Sequence, residues 1–145
     1  MRSLVDLPFS SDTTFFQYDV EVTLTINNSD TGVQFGVAPS NPNNSFIGFE
    51  FNSSGLRGFV NNGTDTSYTS YYDPDTPIST SHFRFIWDLS TDAVEFLIDD
   101  TIVGTVSGVS DIDNPLQFVF EFPQNDDVLN VGVLVRSLSA VLSAY

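Results

Sequence analysis

Few side chains here have the type and spacing that chemistry would need. His82 is the only histidine and there is no cysteine. A Cys/His zinc centre and a nucleophilic triad therefore both lack their parts, and His82 reads as an ordinary residue at the start of a strand. No glycine-rich phosphate loop of either standard form is present. Acidic pairs occur at Asp73/Asp75, Asp99/Asp100, Asp111/Asp113 and Asp126/Asp127. Calcium takes several loop oxygens, and Asp111 and Asp113 are the pair carried forward as calcium candidates. None of the pairs has EF-hand spacing, and aspartates are also ordinary turn formers. No other cofactor is implied.

Two further sets of residues could meet a partner. Tyr68, Tyr71 and Tyr72 fall in a long connection between apolar segments. Exposed there, they could stack on sugar rings or anchor a protein, since tyrosine offers rigid amphipathic area. Alternatively they form the inner side of a short strand. Asn27, Asn43, Asn52 and Asn62 each begin an Asn-x-Ser/Thr sequence, a glycan acceptor pattern that would suit an extracellular surface. A chain rich in Asn, Ser and Thr also makes such sequences by chance.

Charge narrows the classes. Nineteen acids face four basic residues, a net charge of −15, and all four basic residues are arginine: Arg2, Arg57, Arg84 and Arg136. A nucleic-acid backbone would be repelled. The acids are spread along the chain rather than gathered in a tail. Adaptation to molar salt accounts for both facts, because at 1 M salt the Debye length is about 3 Å and carboxylate repulsion is screened. The alternative is an acidic surface on a protein of ordinary salinity.

The elements that must position these residues are strands. Apolar residues alternate at Phe16, Tyr18, Val20, Val22, Leu24 and Ile26, and again at Val33, Phe35 and Val37; period two marks half-buried strands. Phe46–Phe51 and Leu56–Val60 read as a hairpin around Asn52-Ser53-Ser54-Gly55. Phe83, Phe85 and Trp87 alternate, then Val94, Phe96 and Ile98 after a turn at 88–92. Ile102–Val106 reads as a short strand. Leu116, Phe118, Phe120 and Phe122 alternate, as do Leu129, Val131, Val133 and Val135. The best helical stretch is Leu134–Ala144, and its Ser and Val content argues against helix as much as for it. Fourteen phenylalanines supply a core, expected to include Phe83, Phe85, Trp87, Phe96, Phe118 and Phe120. About ten strands with turn signals every 8–12 residues predict an all-β protein, a two-sheet antiparallel sandwich. Without an internal repeat or a linker, 1–145 reads as a single domain. The connection from Asn61 to Ser81 is longer than a compact domain leaves structureless, so it holds a short strand near 68–72 or is a functional loop.

His82-Phe83-Arg84-Phe85-Ile86-Trp87-Asp88, a turn, Val94-Glu95-Phe96-Leu97-Ile98-Asp99-Asp100 and Ile102-Val103-Gly104 together resemble concanavalin A-like lectin and glucanase domains, laminin-G-like members included. Asp100 stands where glycine is usual. The strand ending Val133-Leu134-Val135-Arg136-Ser137-Leu138 is also similar. The resemblance covers about a third of the chain and implies a jelly roll of two curved antiparallel sheets, with glycans bound on a concave face or in rim loops. Glucanase members carry a Glu-x-Asp-x-x-Glu strand, whose two working carboxylates sit about 5 Å apart. Glu50-Phe51-Asn52, Glu121-Phe122-Pro123 and Asp111-Ile112-Asp113 do not complete it, so no catalytic residue is carried over.

The expectation is therefore a non-enzymatic exterior module of a halophilic system. A virion decoration, turret or fibre protein fits first, pairing with copies of itself or neighbouring structural proteins through long edge strands. The alternative is a soluble carbohydrate-binding module of a secreted protein that meets a cell-surface glycan. The first residues do not resemble a signal peptide, and no apolar run reaches the roughly 18 residues of a membrane span.

Overall fold

A computed structural model describes residues 13–26, 33–39, 45–52, 55–72, 78–109, 116–121 and 131–143. These form ten strands: β1 (Phe15–Ile26), β2 (Val33–Pro39), β3 (Phe46–Asn52), β4 (Gly55–Asn61), β5 (Thr66–Tyr68), β6 (Ile78–Asp88), β7 (Ala93–Ile98), β8 (Thr101–Ser107), β9 (Leu116–Glu121) and β10 (Val131–Ser143). They make two five-stranded sheets, ordered β10-β1-β6-β7-β8 and β5-β4-β3-β2-β9. Every pairing is antiparallel. The two-sheet antiparallel sandwich expected from the alternation is what forms, as the jelly roll implied by the resemblance requires, and the weak helical stretch near the C-terminus is strand β10.

The core lies between the sheets. In the first sheet Phe16, Tyr18 and Val20 sit opposite Trp87, Phe85 and Phe83 in register, and Phe96 and Ile98 continue the rows on β7. From the second sheet Phe35 meets Phe83 edge-on at 4.9 Å, and Phe49 meets Phe96 edge-on at 5.3 Å. Such aromatic pairs add to the burial itself, about 0.5–1.5 kcal/mol each. Five of the six expected core residues are buried; Phe118 is half-buried but packs on the core, its ring 6.0 Å from that of Tyr18. Gly58 lies under Phe96: a Cβ there would come within 2.4 Å of the ring. Burial strips the Tyr18 hydroxyl of solvent, leaves it without a hydrogen-bond partner among the described residues, and pushes its pKa far up.

A second, smaller cluster faces the other way. Ala38, Phe46, Phe59 and Val119 are buried on the outer side of the second sheet, and the rings of Phe46 and Phe59 stack parallel at 5.1 Å. Doubled apolar positions, Phe46-Ile47, Phe59-Val60 and Val119-Phe120, serve both faces at once. At the centre of this side Gly36 pairs with Gly48. A Cβ on Gly36 would approach the Ile47 carbonyl oxygen to 2.1 Å, so only glycine permits this contact.

The hairpin turn joining β7 to β8 explains the departure at Asp100. Asp99 and Asp100 both have positive φ, 49° and 65°, as a two-residue turn of the primed type requires. Asp tolerates this conformation better than most residues. Asp99 also works locally: its carboxylate accepts the N–H of His82 at 2.8 Å.

Candidate ligand platform on the second sheet

The site begins at a hairpin. β3 and β4 pair from Asn52↔Gly55 outward, which sets Glu50 opposite Arg57, and Gln34 of β2 stands next to Glu50. The three side chains share the outer side of the sheet. Arg57 donates through Nε to Glu50 Oε2 at 2.7 Å, and Gln34 donates to Glu50 Oε1 at 3.5 Å.

The chain after β5 then lays tyrosines over that row. The turn before β5 is fixed by two asparagines. Asn61 Oδ1 accepts the N–H of Gly63 at 2.8 Å, and Asn62 Oδ1 accepts those of Thr64 and Asp65 at 3.0 and 2.8 Å. Tyr68 pairs with Phe59, their rings 6.1 Å apart. Thr69 turns inward: its N–H donates to the Gly58 carbonyl at 2.9 Å, and its hydroxyl accepts the Gly58 N–H at 3.0 Å. Tyr72 is fastened to Leu56 by two backbone hydrogen bonds of 2.9 and 2.6 Å. With both ends pinned to β4, Tyr68 beside Phe59 and Tyr72 beside Leu56, the chain between them brings Tyr68 and Tyr71 to Arg57. The Arg57 guanidinium carbon lies 3.6 Å from the Tyr68 ring centre and 4.6 Å from that of Tyr71. A desolvated cation–π contact is worth about 2 kcal/mol, an exposed one about 0.5–1. The rings stay accessible, Tyr68 at 48% and Tyr71 at 41%.

The arrangement is a raised aromatic platform, not a cavity. Tyr68 and Tyr71 present ring faces and hydroxyls. Arg57 offers its two terminal amines, which have no acceptor among the described residues. Glu50 supplies acceptor oxygen beside them.

The three tyrosines thus divide. Tyr68 and Tyr71 come together at the surface, while Tyr72 turns inward and packs half-buried against the core. The short strand ends at Tyr68, and Tyr72 makes only an isolated bridge. Asn62 is half-buried and its side-chain oxygen is occupied by the turn; Asn52 is the last residue of β3. Asn27, Asn43, Asp111 and Asp113 lie outside the described residues. No group of three or more His, Asp or Glu that could hold a metal occurs among the described residues. Arg57 and Glu50 were not singled out from sequence, although counting back from the Asn52/Gly55 turn pairs them.

Outside the platform, the first sheet carries a charged cluster. Asp19 accepts from Arg84 Nε at 3.2 Å and from Gln17 at 2.7 Å, and pairs with His82 Nε2. Arg84 also reaches Asp100 at 3.7 Å. A shallow depression beside it, about 260 Å³, is lined by Phe15, Ile86, Ala93, Glu95 and Thr105 among others.

No family model and no curated protein matches the chain. Solved structures do, at low identity. A carbohydrate-binding module from Bacillus subtilis superposes with a TM-score of 0.59 at 12% identity, over 90% of this chain and 78% of that one. The galectin LEC-6 of Caenorhabditis elegans gives 0.56 at 10%, over 94% and 89%. Botulinum neurotoxin type C, which depends on two ganglioside molecules to enter cells, gives 0.66 at 11%; the chain spans only 32% of that toxin chain. An endo-β-1,3-glucanase from Pyrococcus furiosus gives 0.65 at 14%, over 97% and 64%. The fold is the lectin and glucanase jelly roll.

Proposed function

We propose that this domain is a non-catalytic, lectin-like carbohydrate-binding module, and that Tyr68 and Tyr71, braced by Arg57, form its binding platform. The carrying observation is that pair of exposed rings held on a rigid sheet by one stacked guanidinium. An exposed aromatic face offers apolar area to the C–H face of a pyranose while its hydroxyl meets the sugar's polar edge. Preorganised rings lose little entropy on binding. The galectin and the carbohydrate-binding module among the structural neighbours support the class of ligand. Binding without hydrolysis is supported by the missing Glu-x-Asp-x-x-Glu strand and by the strand placement of Glu50 and Glu121, which sit on β3 and β9 with β2 between them.

The proposed setting is an exterior one in strong brine, on a virion or a cell surface, and the excess of acids with no lysine supports it. Pairing with copies of itself through β10, the 13-residue edge strand of the first sheet, belongs to the same proposal. The experiment is a glycan array probed in about 2 M salt with wild type and with the double variant Tyr68→Ala/Tyr71→Ala, alongside melting curves from 0.1 to 2 M salt. Binding by wild type that disappears in the folded variant is the expected result. Binding that survives the double substitution excludes the platform, and a melting temperature indifferent to salt excludes the brine.

A further inference from the structure

We infer that the Tyr68/Tyr71 platform selects neutral, hydroxyl-rich glycans and rejects acidic ones. This rests on the platform being the binding site and specifies its ligand class. An arginine beside two aromatic rings would ordinarily invite a carboxylate, because its planar fork matches one bidentately. Here that charge is already answered. Glu50 holds Arg57 Nε at 2.7 Å, and Gln34 directs its own amide to the same carboxylate.

The surroundings add negative charge, not positive. Glu121, exposed at the end of β9, pairs in register with Gln34, and Asp65 is exposed in the turn just before β5. Among Glu50, Glu121, Asp65 and Arg57 there is one cation for three anions, in a chain of net charge −15. A uronate or sialate carboxylate seated against Arg57 would lie in near contact with Glu50, where salt screens least, and would surrender its hydration for a guanidinium that is already paired.

A hydroxyl group meets the opposite situation. Each sugar hydroxyl both donates and accepts. The terminal amines of Arg57 can only donate and the Glu50 carboxylate can only accept, so side by side they match two neighbouring hydroxyls on one ring whose C–H face rests on Tyr68 or Tyr71. Charge-assisted bonds of this kind are roughly twice as strong as neutral ones.

The test uses matched pairs of soluble polymers that differ only at the sixth carbon: glucan and polyglucuronate, galactan and polygalacturonate, mannan and polymannuronate. Affinities are measured by calorimetry in 1 M salt, with circular dichroism confirming the fold of each variant. Wild type should bind at least one neutral polymer tenfold or more tightly than its uronate partner. Glu50→Gln, which frees the arginine charge, should narrow that preference several-fold. Tyr68→Ala/Tyr71→Ala should abolish binding of the neutral polymer. A uronate bound as tightly as its neutral partner, and lost in the tyrosine variant, overturns the selectivity and leaves the platform standing. Binding of either kind that ignores the tyrosine substitutions overturns the platform itself, and failure to bind any of the six polymers overturns both.

Discussion

Both outer faces of the sandwich carry an arginine paired to a carboxylate, yet the two are built for different ends. On the first sheet Arg84 meets Asp19 and reaches Asp100, while His82 and Gln17 crowd the same Asp19 carboxylate. Donors and acceptors there consume one another, and no tyrosine is among them. On the second sheet Arg57 gives one nitrogen to Glu50 and its planar face to two tyrosines. Its terminal amines have no acceptor among the described residues. A charge cluster closed on itself holds strands in register; one left open beside exposed rings has binding capacity to spare.

The comparison can be broken at several points. The largest effect should come from what both faces stand on. Phe83→Ala removes a ring that meets Phe35 and Phe49 across the sheets, and should cost about 3–5 kcal/mol in denaturant unfolding. A loss under about 1 kcal/mol would mean that the core is not where the two sheets place it.

Next comes the open face. Tyr68→Ala/Tyr71→Ala should weaken glycan binding ten- to a hundredfold or more, about 1.4–2.7 kcal/mol. Its stability should change by no more than about 1 kcal/mol, since both rings are exposed. Tyr72→Ala should do the reverse, lowering stability with affinity kept, because its ring packs on the core.

The buried hydroxyl of Tyr18 gives a smaller effect of opposite sign. Tyr18→Phe should raise stability by about 1 kcal/mol, because an unpaired polar group leaves the core. Its pH dependence is diagnostic. Burial raises the folded-state pKa above the usual value near 10, so below pH 10 the proton stays on in both states and stability is unaffected. Above pH 10 the unfolded chain releases it and the folded chain does not, so wild type should lose about 1.4 kcal/mol per pH unit from this group. The Phe variant should lack that slope, as stability curves at pH 9, 10 and 11 would show.

The closed face should respond least. Asp19→Asn should cost about 1 kcal/mol or less, as partly exposed ion pairs do, and should leave glycan affinity where it was.

The strands were legible because half-buried sheets write period two into the chain, and the aromatic run from His82 to Gly104 carried the fold resemblance as well. The platform was only half legible. Three tyrosines in a long connection drew attention, but whether each faced out or in depended on the inward turn of Thr69 against Gly58, a contact made by non-local pairing. Arg57 went unnoticed because its role comes from stacking, although the hairpin register already paired it with Glu50. The second apolar cluster was written in the doubled positions Phe46-Ile47 and Phe59-Val60, which a search for alternation passes over. Asp100 in place of glycine reflects a turn in which aspartate itself takes the left-handed conformation.

The most direct test of the difference between the faces is a titration followed by NMR. Wild-type domain in 1 M salt would receive the neutral polysaccharide fragment that binds best among the six polymers, with backbone amide and tyrosine ring shifts recorded. Changes confined to Tyr68, Tyr71, Arg57, Glu50 and their neighbours on β3, β4 and β5 are the predicted result. Changes centred on Asp19, His82 and Arg84 across β1 and β6, with the tyrosine rings unmoved, would contradict it.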